Sequence, residues 1–476
     1  MNVSRTGFGC YRVDISIREH HDALYKALTN GINLIDTSAN YSDGGSESLV
    51  GKVVNDLTGE NKIKREDIII VTKGGYIQGQ NYRLASKLKE EGKAFKEVVE
   101  YADGLWHCIN PDFLEDQLRR QMQRLNLTYI DIYLLHNPEY YLQLAKKNGM
   151  DPDEAREIYY SRIRNAFEFF ESKVSEGLIK SYGISSNTFA SYSTEHDFTS
   201  LEKITDIANS ISTNHNFKTI QLPFNLFEAG AVTVRNQSNN TQTVLEFASG
   251  KNLSVLINRP LNASTSKGLV RLADFKAEPF LEKDFIKQMK LVTLMEEDII
   301  NEKLAEEKLN EADLIKLKKF LSSGRLVEEN WKYFGSIEHF NDILYQLFAP
   351  RIDFLNNFFE DKIQEKNTQD FFHRYIKECY KLLNYVSNYY KLRADKRSSY
   401  IHNLLNKDLA QKFHNLTLSQ KAILLLASVE GVSCVLAGMR KVEYVDDVLS
   451  ILDQEKIPNA KEIIEYVSKE IQMADN

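Results

Sequence analysis

Eight short apolar runs, each followed by a stretch of helical period, constrain this chain more than any other feature. They are GFGCYR (7–12), INLIDTS (32–38), IIIVTKGG (68–75), YIDIYLLH (129–136), IKSYGISSN (179–187), FKTIQLPF (217–224), LSVLINRPL (253–261) and VSCVLAG (432–438). Several are rich in Val, Ile and Leu without alternation, as strands covered on both faces are. The segments between them are amphipathic. HHDALYKALTNG (20–31) ends on a glycine suited to a helix C-terminus, and PDFLEDQLRRQMQRLN (111–126) opens on a proline suited to a first turn. Eight such repeats predict an α/β fold closed as a (β/α)8 TIM barrel. The rival, an open doubly wound sheet, wants a glycine-rich phosphate turn after its first strand, and GFGCYR followed by VDIS lacks the G-x-G-x-x-G spacing.

The rhythm breaks once. From about Asn262 to Leu416 no strand is evident. FLEKDFIKQMKLVTLMEEDIINEKLAEEKLNEADLIKLKKFL (280–321) is helical in period and dense in charge, and 337–363 and 370–392 are helical with an aromatic stripe. LSQKAILLLASVEG (418–431) then resumes the alternation. The expected organisation is a first barrel part over 1–261, a large helical insertion over 262–416 between strand 7 and helix 7, and the rest of the barrel over 417–476. In a barrel that position adjoins the C-terminal face, which favours a lid over a protein-partner surface. Phe348, Phe358, Phe359, Phe371, Phe372 and Tyr389 read first as the insertion's own core.

The formal net charge of −7 gives no reason to expect nucleic acid or an anionic membrane as partner. No apolar run reaches the length of a membrane span, and the opening MNVSRTGFGCYRVD lacks the apolar core of a signal peptide. Cys10, Cys108, Cys379 and Cys434 are scattered and read as buried thiols of a reducing compartment, with no metal site in their spacing. These features predict a cytoplasmic protein.

Active sites of such barrels lie at the C-terminal ends of the strands. Those ends supply Asp36, Lys73, His136, Ser185 to Asn187, Gln221, Asn258 with Arg259, and Arg440 after the eighth; Tyr41 follows Asp36 in the loop. Asp, Lys, Tyr and His converging on one mouth suit proton transfer. A phenol with an ordinary pKa of about 10 is expected to be lowered by a neighbouring ammonium that a carboxylate holds in place. A histidine would orient a substrate oxygen, so the set suits protonation of that oxygen while hydride reaches the attached carbon.

With these motifs the chain resembles the aldo-keto reductase family. The resemblance rests on D-x4-Y in IDTSANY, the SESLVG that follows, VTK, LLH, the GISSN strand end, the Gln221 strand and VLAGMRKVEYVDD. It implies that Asp36, Tyr41, Lys73 and His136 are the catalytic tetrad and that NADPH binds without a Rossmann domain. It further implies that Ser185 and Asn187 hold the nicotinamide amide with Gln221, that Asn258 and Arg259 border the cofactor, and that Asp447 lies near adenine. Arg440 and Lys441 would meet a 2′-phosphate, favouring NADPH over NADH. The family's strand-seven Y-S-P-L stands here as Asn258-Arg259-Pro260-Leu261. Residues 137–141, NPEYY, are expected to line a pocket for a small carbonyl or alcohol.

The implied function is NADP(H)-linked interconversion of a carbonyl and an alcohol, with Tyr41 as proton donor or acceptor. Two rivals stay open: a reductase-like barrel serving as a nucleotide-sensing or partner-binding module through its insertion, and a Schiff base on Lys73 as in barrel aldolases.

Overall fold

The computed structural model describes residues 3–265, 268–306 and 309–475. Eight parallel strands close into one barrel. They are β1 (Thr6–Gly9), β2 (Leu34–Asp36), β3 (Ile69–Gly74), β4 (Ile130–His136), β5 (Ile179–Ser185), β6 (Phe217–Pro223), β7 (Ser254–Asn258) and β8 (Cys434–Ala437). Each pairs with its neighbours in sequence, and β1 closes the ring between β8 and β2. Seven lie within the apolar runs and β1 begins one residue ahead of its run, because only a strand buried on both faces needs so little polar residue.

Several of the surrounding helices begin where their sequences provide caps. α1 (Arg18–Thr29) and α2 (Gly45–Gly59) precede α3 (Pro111–Leu125), where the Asn110 side chain accepts from the Asp112 amide ahead of a first-turn proline. Asp151 caps α4 (Pro152–Ser175), and Ser200 caps α5 (Leu201–Ile211). Thr243 and Glu246 form a reciprocal capping box at α6 (Val244–Gly250). α7 (Leu418–Ser428) and α8 (Val442–Leu449) flank β8. α2 and α3 meet at Gly51, where a Cβ would come within 2.2 Å of the Leu125 carbonyl oxygen.

The segment after β3 is structured. Tyr76–Ile77, Val99–Ala102 and Leu105–His107 form a small antiparallel sheet carrying the helix Gly79–Glu90.

The chain divides into two compact units, Met1–Leu261 with Gln420–Asn476, and Asn262–Ser419. The second is mainly helical, but the expectation that it holds no strand is overturned: Asn262–Thr265 and Gly268–Arg271 pair antiparallel. These strands are largely polar, so no apolar pattern announced them. The unit's core is aromatic. Phe348, Phe358, Phe359 and Phe372 are buried, Phe371 and Tyr389 pack against them, and the rings of Phe359 and Phe372 stack with centroids 3.7 Å apart. A π-helical turn, Leu344–Phe348, precedes Pro350, which has no N–H to return to the Gln346 carbonyl.

Candidate active site

The site is built on the two-residue period of the strands. Leu34, Val71, Leu134 and Leu256 form part of an apolar cluster. Two residues further along the same face of the same four strands stand Asp36, Lys73, His136 and Asn258. An apolar layer is thus followed directly by a polar one at the strand ends.

Lys73 is fully buried and Asp36 nearly so. The Lys73 ammonium lies 2.7 and 2.8 Å from the two Asp36 carboxylate oxygens, donates to the Thr37 carbonyl at 2.9 Å, and reaches the Tyr41 hydroxyl at 3.3 Å. Its three protons therefore have a carboxylate, a carbonyl and a phenol as acceptors. The Tyr41 ring meets His136 edge-on at 6.1 Å between centroids and Tyr11 at 5.2 Å. The four residues expected to form the tetrad are together.

Tyr41 reaches the mouth by a turn whose left-handed segment is Ser42, Asp43 and Gly44, with φ of 48°, 52° and 92°. Two non-glycine residues in that region carry backbone strain. Ser42 is held by a hydrogen bond from its hydroxyl to the Val13 carbonyl, and the Asp43 carboxylate accepts from the Gln80 amide. Gly45 is helical, and its hydrogen is needed for space, since a Cβ there would sit 2.2 Å from the Asp14 carboxylate.

Electrostatics also differ from the expectation. Burial, then the Asp36 charge, then the phenols of Tyr76 and Tyr11 raise the Tyr41 phenol well above its ordinary 10. The expected lowering is not what the folded protein gives, because burial disfavours the phenolate and the carboxylate that holds the ammonium also repels it. Burial pulls Lys73 below the usual ammonium range, opposed by Asp36. His136 is held well below 6.5 by burial, then by Lys73 and His107, and stays neutral. Lys73 stands 3.3 Å from the phenol and donates its other protons to Asp36 and the Thr37 carbonyl.

A second row extends across the neighbouring strand ends. Gln221 on β6 donates from Nε2 to Asp36 at 2.7 Å, and its Oε1 accepts from Ser185 on β5 at 3.0 Å and from Asn258 on β7 at 3.3 Å. Ser186 turns instead into the wall, toward Thr188 and Thr199. The Asn187 side chain is exposed, while its backbone amide donates to Glu139 at 2.8 Å. Arg259 sits at φ 51° with its guanidinium paired to Glu228 at 2.8 Å. Arg440, Lys441 and Asp447 lie apart from this network, at and within α8, where Lys441 faces Glu19 at 3.7 Å.

Some structural roles were missed. Glu47, in the first turn of α2, is fully buried and accepts from Thr72, Gln121 and Arg124. Gln121 also donates to the Lys73 carbonyl at 3.0 Å, anchoring β3 beneath its ammonium. The polar side of α3, with Gln117 and Gln121 buried, was the available signal. Of residues 137–141, Glu139 is buried in the wall, whereas Tyr140 packs edge-on against Tyr76. Tyr76 in turn meets the His136 ring at 4.6 Å and accepts from Asn137 at 2.8 Å.

A model of the aldo/keto reductase family matches residues 7–308. Among curated proteins, the chain is 28% identical over 144 residues to an NADH-specific methylglyoxal reductase of Escherichia coli (strain K12), covering 29% of this chain and 39% of that one. It is 26% identical over 192 residues to an NADPH-dependent D-xylose reductase of Candida boidinii, covering 39% of this chain and 49% of the relative. The chain thus spans about half or less of the length of these curated relatives. Among solved structures, an aldo-keto reductase from Bacillus halodurans in its holo form aligns over 98% of this chain and 92% of its own, with 17% identity and a TM-score of 0.47.

Proposed function

The chain belongs to the aldo/keto reductase family, and on that premise we propose that it interconverts a small carbonyl compound and its alcohol with NADPH, using Tyr41 as the proton donor. One observation carries the reading. The Lys73 ammonium donates to the Tyr41 oxygen at 3.3 Å, so the phenol's own proton is left to point elsewhere, and no protein acceptor for it is present among the described residues. A half-buried phenol kept protonated, with an ammonium behind it to stabilise the phenolate as it forms, is a general acid that gives up its proton only when a substrate oxygen develops charge. Neutral His136, on the adjoining strand end, contacts that oxygen. Asp36 holds Lys73, and Gln221 holds Asp36.

The strand-end row fits a nicotinamide carboxamide, which needs both a donor and an acceptor. Ser185, Gln221 and Asn258 offer hydroxyl and amide groups in hydrogen-bonded series, and the Asn258 Oδ1 has no partner of its own. A dinucleotide bound there would supply the hydride. Arg440 and Lys441 are the cations placed to favour a 2′-phosphate. The relatives include proteins named for each cofactor, so this preference belongs to the proposal. Neither a sugar nor a 2-oxoaldehyde is singled out by the residues at the mouth.

The test is Tyr41→Phe. Turnover of a carbonyl panel, followed by NADPH absorbance, should fall by about 10²–10⁴-fold with NADPH affinity within a few-fold of the parent. Equal turnover in the variant would refute the mechanism. NADH binding as tight as NADPH, unchanged in Arg440→Ala, would refute the cofactor assignment alone.

A further inference from the structure

The helix Glu282–Asn301 carries two stripes. Phe285, Met289, Val292, Met295 and Ile299 are buried in the core of their own unit. On the other side Lys287, Leu291, Leu294 and Asp298 recur at intervals of four, three and four residues, which places them on one line along the surface. All four are exposed, Leu291 at 42% and Leu294 at 58%. The charges around the leucines run against what a lone helix favours. Lys283, Lys287 and Lys290 follow one another at helical spacing, as do Asp298 and Glu302, so like charges are neighbours. Glu297, Asp298 and Glu302 also gather at the C-terminal end, where the helix dipole disfavours anions. Lys287 and Asp298 make no ion pair among the described residues.

Turned end for end, the stripe matches itself. Lys287 stands four residues before Leu291, and Asp298 four residues after Leu294. We propose that it is the docking surface for a second copy of this chain, with the two helices antiparallel about a two-fold axis midway between the leucines. Leu291 then packs against Leu294 of the second copy and Lys287 meets Asp298 of the second copy, each contact occurring twice by symmetry. Lys290 and Glu297, both exposed on one flank of the stripe, are brought together by the same operation. A parallel pair would set Lys287 against Lys287, so the charges fix direction as well as partner. They also select against other occupants. An anionic surface drawn to the lysines is repelled by Glu297, Asp298 and Glu302.

A contact made by one helix from each copy belongs at the weak end of protein association, so sedimentation velocity of the full chain is followed from about 1 to 300 µM. The samples are the parent, Lys287→Asp, Asp298→Lys, an equal mixture of those two single variants, and the double variant, with circular dichroism as the check that each is folded. The parent should dimerise as concentration rises. Each single variant meets like charge across the axis and should lose at least about tenfold in association. In the mixture each chain supplies the charge that the other lacks, and in the double variant every pair is reversed, so dimers should return in both. A parent that stays monomeric throughout the range would overturn the proposal, as would a dimer that survives both single changes, or single variants that fail to associate when mixed. Recovery on mixing cannot come from a folding defect. No cofactor, substrate or turnover enters, so this outcome and that of Tyr41→Phe are independent.

Discussion

Glu139 offers the most exacting test of how this barrel holds its strand ends. Its carboxyl is 1% exposed, one oxygen accepts from the Asn187 amide at 2.8 Å, and the other has no hydrogen bond. Burial is the main reason its pKa is pushed up from 4.5 to about 7, and the charge of Asp197 adds to it. A carboxyl raised in the folded state binds a proton that the unfolded chain has already lost. Between pH 4.5 and about 7 the native state therefore holds more protons, and stability must fall as pH rises through that window. At about 1.4 kcal/mol per pH unit, ionised Glu139 costs the native state about 3 kcal/mol above neutrality, a cost absent below pH 4.5. Glu139→Gln keeps the shape and the acceptor for Asn187 but cannot ionise. Urea unfolding of parent and variant, compared pH by pH so that other titrations cancel, should show the variant gaining relative stability from pH 5 to 8. Trp106, in a Trp331→Phe background, reports on the barrel unit without the insertion. A parent–variant difference that is constant across that range would refute the argument, because it would mean that Glu139 is charged, or neutral, throughout.

Three other outcomes follow from the same geometry. Lys73→Met leaves the Asp36 carboxylate buried without its cation and should cost about 3–5 kcal/mol, whereas Lys73→Met with Asp36→Asn should recover part of that loss; additive losses in a thermal double-mutant cycle would show that the pair is not coupled. Gly51→Ala drives a Cβ to 2.2 Å from the Leu125 carbonyl and should cost about 1–3 kcal/mol by forcing α2 off α3, while an unchanged melting temperature would refute the close contact. With the Tyr41 phenol held well above 10, reductive kcat/KM should not fall with a phenol ionisation below pH 10, and a fall centred near pH 7 that vanishes in Tyr41→Phe would contradict it.

The sequence made the barrel legible for a physical reason. A strand covered on both faces has to be apolar throughout, and eight such runs separated by amphipathic helices leave few closures. The strand-end acids and bases were legible too, since Asp36 and Lys73 interrupt apolar runs that otherwise admit no charge. The hairpin Asn262–Thr265 with Gly268–Arg271 was not, because its polar residues carry neither apolar run nor alternation. Nor was the burial of Glu47 and Glu139. An acid in a first helical turn, or after a strand end, is ordinarily solvated, and only the three-dimensional approach of Arg124 and Gln121, or of the Asn187 amide, shows otherwise. The sign of the Tyr41 shift was missed for a related reason. Sequence order gives the ammonium and the phenol as neighbours, but the balance is set by how much water burial removes and by Asp36 standing on the far side of the same lysine.

That balance also explains why the polar layer tolerates its own burial. Leu34, Val71, Leu134 and Leu256 occupy one register, and Asp36, Lys73, His136 and Asn258 the next on the same faces. A layer two residues above a dry floor has no water to draw on from below, so each proton in it needs a protein acceptor. Lys73 finds its three in Asp36, Thr37 and Tyr41, and Asp36 finds a further donor in Gln221. Gln221 in turn accepts from Ser185 and Asn258, so charge at β2 and β3 is tied through one amide to the ends of β5, β6 and β7. The longest bond in this set that reaches the ammonium is the one to Tyr41, at 3.3 Å. It is the bond with most to gain when negative charge develops on the phenol oxygen, and the other ligands of Lys73 are already at 2.7–2.9 Å and can tighten little. The same closure that makes the phenol hold its proton at rest thus directs the response of the ammonium toward Tyr41 when that proton leaves.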